Sequence, residues 1–80
     1  MTHNIKIEPQ YFQAVIEGEK PFEIRLNGRN YQVGDTLILN EIGTGEKLKA
    51  KISYVTDYQQ KENYVEFVMV GIHLIHWDKL

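Results

Sequence analysis

The stretch Gly18-Glu19-Lys20-Pro21-Phe22-Glu23-Ile24-Arg25 decides how the chain is read, because a helix pattern stops and a strand pattern starts inside it. Ahead of it, Tyr11, Phe12, Val15 and Ile16 recur at helical spacing behind Pro9, whose missing N–H costs nothing in a first helical turn. Gly18 is a natural stop, since glycine readily adopts the left-handed conformation that ends helices. The spacing predicts a helix of about nine residues with Phe12, Val15 and Ile16 toward the core. Beyond the stop, Phe22, Ile24 and Leu26 alternate with Glu23 and Arg25, so the two sets leave opposite faces of a strand.

Working outward, His3 to Glu8 alternates Ile5 and Ile7 with Asn4 and Lys6, a short half-buried strand. Asn27-Gly28 is a turn signal, because both residues tolerate positive φ. Tyr31 to Asp35 reads as a second turn leading into a strand from Thr36 to Asn40, and Gly43-Thr44-Gly45 as a hairpin loop. From Lys47 the alternation sets Lys47, Lys49, Lys51 and Ser53 against Leu48, Ala50, Ile52 and Tyr54. Asp57 to Asn63 is a polar loop, and Tyr64 to Ile75 is a long final strand with a bend expected at Gly71. One early helix and about five strands joined by Gly-containing turns predict a mostly β fold, a small barrel that limits exposed edges. Parallel βαβ architecture is disfavoured, because only the first connection is long enough for a crossover helix.

Eighty residues make a single domain, 1–80, with no room for a separate cofactor domain, and no cofactor is expected. The absence of cysteine removes disulfides, thiolate catalysis and Cys-type zinc sites. Neither a signal-peptide run nor a stretch of about 20 apolar residues is present, so the expectation is a cytoplasmic protein with no membrane role. A net charge of −2 argues against a general DNA-coating protein but leaves room for a local basic cleft.

The order strand, short helix, G-x-K-x-x-E-x-R strand, then Val33-Gly34-Asp35 before a strand of alternating leucines resembles the ASCH domain of the PUA-like superfamily. It looks closest to a small bacterial and phage-borne ASCH-like family with no assigned function. The residues that carry the resemblance are His3, Lys6, Pro9, Tyr11, Phe12, Gly18, Lys20, Phe22 to Arg25, Asn27, Arg29 and Val33 to Asp35. The match is close over the first half and continues by strand pattern to about Gly71. It implies a closed or nearly closed β-barrel with a cleft beside the helix and the motif strand, RNA binding, and in some members chemistry on modified nucleosides.

Lys20, Glu23 and Arg25 form the principal candidate site. Glu23 and Arg25 leave one strand face about 6.5–7 Å apart, and Lys20 sits at the helix-to-strand corner within reach of the same space. A planar Arg fork suits phosphate or a base edge, and Lys supplies a mobile point charge. The bland reading is a solvated strand face carrying a weak ion pair, worth under about 1 kcal/mol. His3 and Lys6 make a fainter pair on the first strand, although a histidine so close to the chain start is usually just exposed. Arg29 extends a basic rim or simply solubilises a turn, and Tyr64 is the aromatic best placed to stack a base.

Other features weigh toward structure. The Lys47, Lys49, Lys51 row matches the spacing of phosphates on a single strand, but such a row is more often the polar face of an edge strand. Tyr54, Tyr58 and Trp77 are more often core or rim than stacking platforms. His73 and His76 fall on opposite faces of a strand, which defeats shared metal ligation.

The function expected is a binding module for RNA or a nucleotide, with Lys20 and Arg25 as phosphate or base contacts. The alternative is a small amidohydrolase acting on an acetylcytidine-like nucleoside. The resemblance carries its lysine to Lys20 and its later glutamate to Glu66, while Glu23 occupies the threonine position. A glutamate beside a lysine forms an ion pair and makes that lysine a poorer base, which tilts the balance away from catalysis. A protein-interaction factor of phage or bacterial origin is the second alternative, and the oligomeric state is not fixed by the sequence.

Overall fold

The computed structural model describes residues 1–75. Strand β1 (Thr2–Ile7) leads into α1 (Pro9–Ile16), followed by β2 (Phe22–Leu26), β3 (Thr36–Glu41), β4 (Lys47–Asp57) and β5 (Tyr64–Ile75). These form one five-stranded sheet in the order β1-β3-β4-β5-β2, curled into a half-barrel. The mostly β class with one short helix is therefore the observed one. The barrel does not close, because β1 and β2 are both sheet edges and share no backbone ladder.

Alternation explains the lining. Ile5 and Ile7 of β1, Leu37 and Leu39 of β3, Leu48, Ala50 and Ile52 of β4, and Val65, Phe67 and Met69 of β5 all face inward and are buried. Phe12 and Val15 of α1 cover the same core, each such side chain contributing about 1.5–3 kcal/mol on burial. Ile16 is instead exposed: the helix ends on it after eight residues, so it lies beyond the packed stripe.

The sheet curls because the long β4–β5 ribbon carries two irregularities. Lys49 pairs with His73 but Lys51 with Val70, leaving Gly71 and Ile72 opposite Ala50. Gly71 adopts φ +64, so the expected bend is a bulge built on a left-handed glycine. The second shift lies between Ile52↔Met69 and Tyr54↔Val68, leaving Ser53 as the extra residue. It flips the phase of β4, so Tyr54 points outward at 57% exposure although strict alternation placed it with Leu48, Ala50 and Ile52.

Two pairings depart from expectation. β1 and β3 are parallel, with α1 and β2 both contained in the crossover between them. Asn27-Gly28 does not turn a hairpin, since β2 pairs with β5; the positive φ values in that loop fall on Asn30 and Gly34. β4 is also central, flanked by β3 and β5, so the lysine row decorates the outer face of an interior strand and protects no edge. No helix among the described residues is long and apolar enough to cross a membrane.

Candidate functional site

The end of α1 aims the motif. Gly18 takes φ +76, and the backbone N–H groups of Glu19 and Lys20 both donate to Ala14 O, folding the chain back over the last helical turn. Pro21 O then accepts from Met69 N at 2.8 Å and fixes the start of β2 against β5. In the resulting register Glu23 opposes Phe67 and Arg25 opposes Val65, both partners on the inner face. The charged face of β2 therefore points inward, while Ile24 and Leu26 are exposed. This overturns the reading of a solvated charged face: Glu23 is only 5% exposed.

A carboxylate so placed needs partners, because an unpaired buried charge is strongly destabilising. Arg25 Nε donates to Glu23 Oε2 at 2.9 Å, and Lys20 Nζ lies 3.4 Å from Oε1. Arg25 Nη2 also donates to Lys6 O at 2.7 Å, which bridges the open seam between β2 and β1. The Lys20 ammonium sits 4.3 Å above the Tyr11 ring, a cation–π contact that holds it beside Glu23. Sequence spacing placed these three residues together, and the structure does bring them together.

Tyr31 belongs to the same cleft and was not singled out from the sequence. Its ring is 4% exposed and lies between His3 and Phe67, at centroid distances of 4.7 and 4.9 Å. Burial pushes its phenol up from the usual tyrosine value, opposed by the nearby Arg25 and Arg29 charges. The available signal was a lone large aromatic in a polar turn, a residue that in a small protein seldom lacks a packing role.

His3 is buried at 3% exposure, so the expectation of an exposed histidine near the chain start is corrected. Its Nε2 donates to Asp35 Oδ2 at 2.7 Å, and the Gln32 backbone N–H donates to the same oxygen at 3.0 Å. The His3 hydrogen bond, helped by Gln32, holds the Asp35 carboxyl below the usual carboxylate range despite its burial. The Val33-Gly34-Asp35 turn thus clamps His3, which in turn braces Tyr31. His3 does not line the cleft.

Lys6, Lys20, Glu23, Arg25, Arg29 and Tyr64 all line one cleft of about 1040 Å³ between the β1 and β2 edges, beside α1. Its charged lining is four cations, Lys6, Lys20, Arg25 and Arg29, against two carboxylates, Glu8 and Glu23. Tyr11, Tyr31 and Tyr64 supply aromatic surface, the last carrying Lys61 Nζ 4.3 Å above its ring. Glu66 is not part of this set. It pairs with Ile24 on the outer face, opposite to the inward Val65 and Phe67, so Lys20, Glu23 and Glu66 do not converge.

Of the remaining candidates, Lys47 bonds Asn40 Oδ1, and Lys49 and Lys51 stand exposed away from the cleft. Tyr58 lies in the β4–β5 loop and donates to Gln60 Oε1 at 2.9 Å. His73 donates from Nδ1 to Gly71 O at 2.8 Å, whereas His76 and Trp77 lie outside the described residues.

The chain is similar to an "Uncharacterized 12.9 kDa protein in GpA 3'region" of Escherichia phage P2, at 46% identity over 68 residues. That alignment covers 79% of this chain and 62% of the phage protein, so the chain spans less than two thirds of its relative's length. Residues 2–72, which include all of β1 to β4 and the cleft, match the family described as "Domain of unknown function (DUF3850)". The chain belongs to the DUF3850 family.

Proposed function

We propose that the cleft between β1 and β2 binds a nucleotide or single-stranded RNA. The observation that carries this reading is the local excess of cations, four against two, on a chain whose net charge is −2. Concentrating positive charge in one concave site, against the sign of the whole chain, suits an anionic ligand. Tyrosine faces in the same lining suit stacking of an unpaired base, a combination that single-strand binders use. We also propose a relation to the ASCH and PUA-like barrels, which the strand–helix–G-x-K-x-x-E-x-R order and a cleft beside the helix support.

Fluorescence anisotropy with short labelled RNA and DNA strands at low salt tests it. The wild type binds RNA with an affinity that falls as salt rises, and Arg29→Glu, a change at an exposed residue, weakens binding about tenfold or more. Equal RNA binding by Arg29→Glu, or a wild type that binds neither RNA nor ribonucleoside monophosphates, contradicts the proposal.

A further inference from the structure

Resting on that nucleotide-binding reading, we infer that the cleft divides its donors between two subsites: Tyr31 and Arg25 form a floor that reads acceptor atoms on a base edge, and Lys6 and Arg29 form a rim that takes the phosphate.

The division follows from what each cation already holds. Lys20 lies 3.4 Å from Glu23 Oε1 and 4.3 Å above the Tyr11 ring, so a phosphate approaching it meets the Glu23 carboxylate as well. Arg25 is matched to the same carboxylate, which offsets its charge but leaves most of its donors unused. A guanidinium carries five N–H groups. One from Nε goes to Glu23 and one from Nη2 to Lys6 O, and Arg25 makes no other hydrogen bond among the described residues. What remains is three N–H donors on a guanidinium whose charge is partly offset by a carboxylate it shares with Lys20. Such a group is a directional hydrogen-bond donor more than a long-range attractor of anions.

Tyr31 has the same character. Its ring is fixed between His3 and Phe67, and its hydroxyl makes no hydrogen bond among the described residues. The phenol is protonated at neutral pH, and burial raises its pKa further, so it offers a donor as well as an acceptor. A fixed hydroxyl and an Arg fork in one cleft suit adjacent acceptors on a base edge, the pattern guanine presents through O6 and N7.

Lys6 and Arg29 differ in every respect. Both side chains are exposed, neither forms an ion pair among the described residues, and they reach the cleft from β1 and from the loop after β2. Their charges are uncompensated and their stems mobile, which suits a phosphate. The ligand is therefore a nucleoside monophosphate unit, either free or as one unit of a strand.

Calorimetric titration separates these roles. The wild type, Tyr31→Phe and Lys6→Ala/Arg29→Ala are each titrated with the four ribonucleoside 5′-monophosphates, the matching nucleosides and a short single-stranded RNA, at two salt concentrations. Circular dichroism melts confirm that each variant is folded, and Tyr31→Phe keeps the ring that packs. The wild type binds monophosphates more tightly than nucleosides and ranks the bases unequally. Tyr31→Phe weakens the preferred base about fivefold and flattens the ranking, with the salt dependence unchanged. Lys6→Ala/Arg29→Ala brings monophosphates down to the nucleosides' affinity and, on the RNA strand, lowers the slope of log K against log salt by about one, with the ranking kept. The same split seen on the oligonucleotide alone supports the assignment for a unit within a strand. If the wild type binds but Tyr31→Phe leaves the ranking intact, or the double variant leaves the salt slope intact, the two-subsite inference is overturned while nucleotide binding stands. No binding of any probe by the wild type removes the nucleotide reading itself, and the subsites with it.

Discussion

Arg25 Nη2 donates to the backbone carbonyl of Lys6 at 2.7 Å while its Nε holds Glu23 at 2.9 Å, so one side chain joins the two unpaired edges of the sheet. The half-barrel stays open along its seam, which leaves room for a cleft, yet its edges are pinned at one point. The residue that shapes the cleft is also the one that neutralises its buried carboxylate.

Removing Arg25 therefore damages the fold as well as the site. Arg25→Ala strands the Glu23 carboxylate and is expected to cost about 2–3 kcal/mol, tempered by the partial exposure of the arginine. Glu23→Gln relieves part of that loss, so urea denaturation of the two single variants and the double gives a favourable coupling of about 1–2 kcal/mol. Additive losses would mean that the pair contributes nothing beyond its separate contacts.

Acid stability follows from Asp35. Its folded-state carboxyl titrates below the unfolded value, so the stabilisation it gives is present above the ordinary carboxylate pKa, about 3.9, and is lost as pH falls through the depressed folded value. Thermal melts taken from pH 6 downward should show Asp35→Asn starting less stable and losing less over that acid range. His3→Phe removes the largest cause of the depression and should shift the acid transition of the wild type upward.

Tyr31 acts at the other end of the scale. A raised folded pKa means its contribution is intact below the unfolded tyrosine value, about 10, and is lost as pH rises through the higher folded value. Among the five tyrosines, absorbance at alkaline pH should reveal one that ionises late, and Tyr31→Phe should abolish that late phase alone. A late phase that persists in Tyr31→Phe would assign it to another ring.

The bulge at Gly71 sets the curl of the β4–β5 ribbon. A Cβ there meets nothing within 4 Å, so substitution carries a backbone cost alone. Gly71→Ala should lose about 1–2 kcal/mol for holding an L-residue in the left-handed region, and Gly71→Asn less. Equal denaturation midpoints for the wild type and Gly71→Ala would contradict the bulge.

Much of this architecture was legible in the sequence. Period-two alternation marked β4 and β5, and Gly18 marked the end of α1, because local patterns report local geometry. Alternation assigns residues to two faces but does not say which face is inside. Glu23 and Arg25 turned inward because β2 is an edge strand bordering an open seam, a consequence of non-local pairing. Tyr54 was misplaced for a related reason: one extra residue at Ser53 reverses every face beyond it. The parallel pairing of β1 with β3 left no local trace, since the crossover hides a strand as well as a helix. The cluster Lys20, Glu23, Arg25 was readable from spacing; Tyr31, brought in by stacking on His3 and Phe67, was not.

The central claim, a ligand cleft between β1 and β2, is tested most directly by amide chemical-shift mapping of the labelled protein during titration with short single-stranded RNA. Shifts should concentrate on Lys6, Lys20, Glu23, Arg25, Arg29 and Tyr31. Shifts centred on the outer face around Tyr54, Val68 and Val70, or no shifts at all, would contradict it.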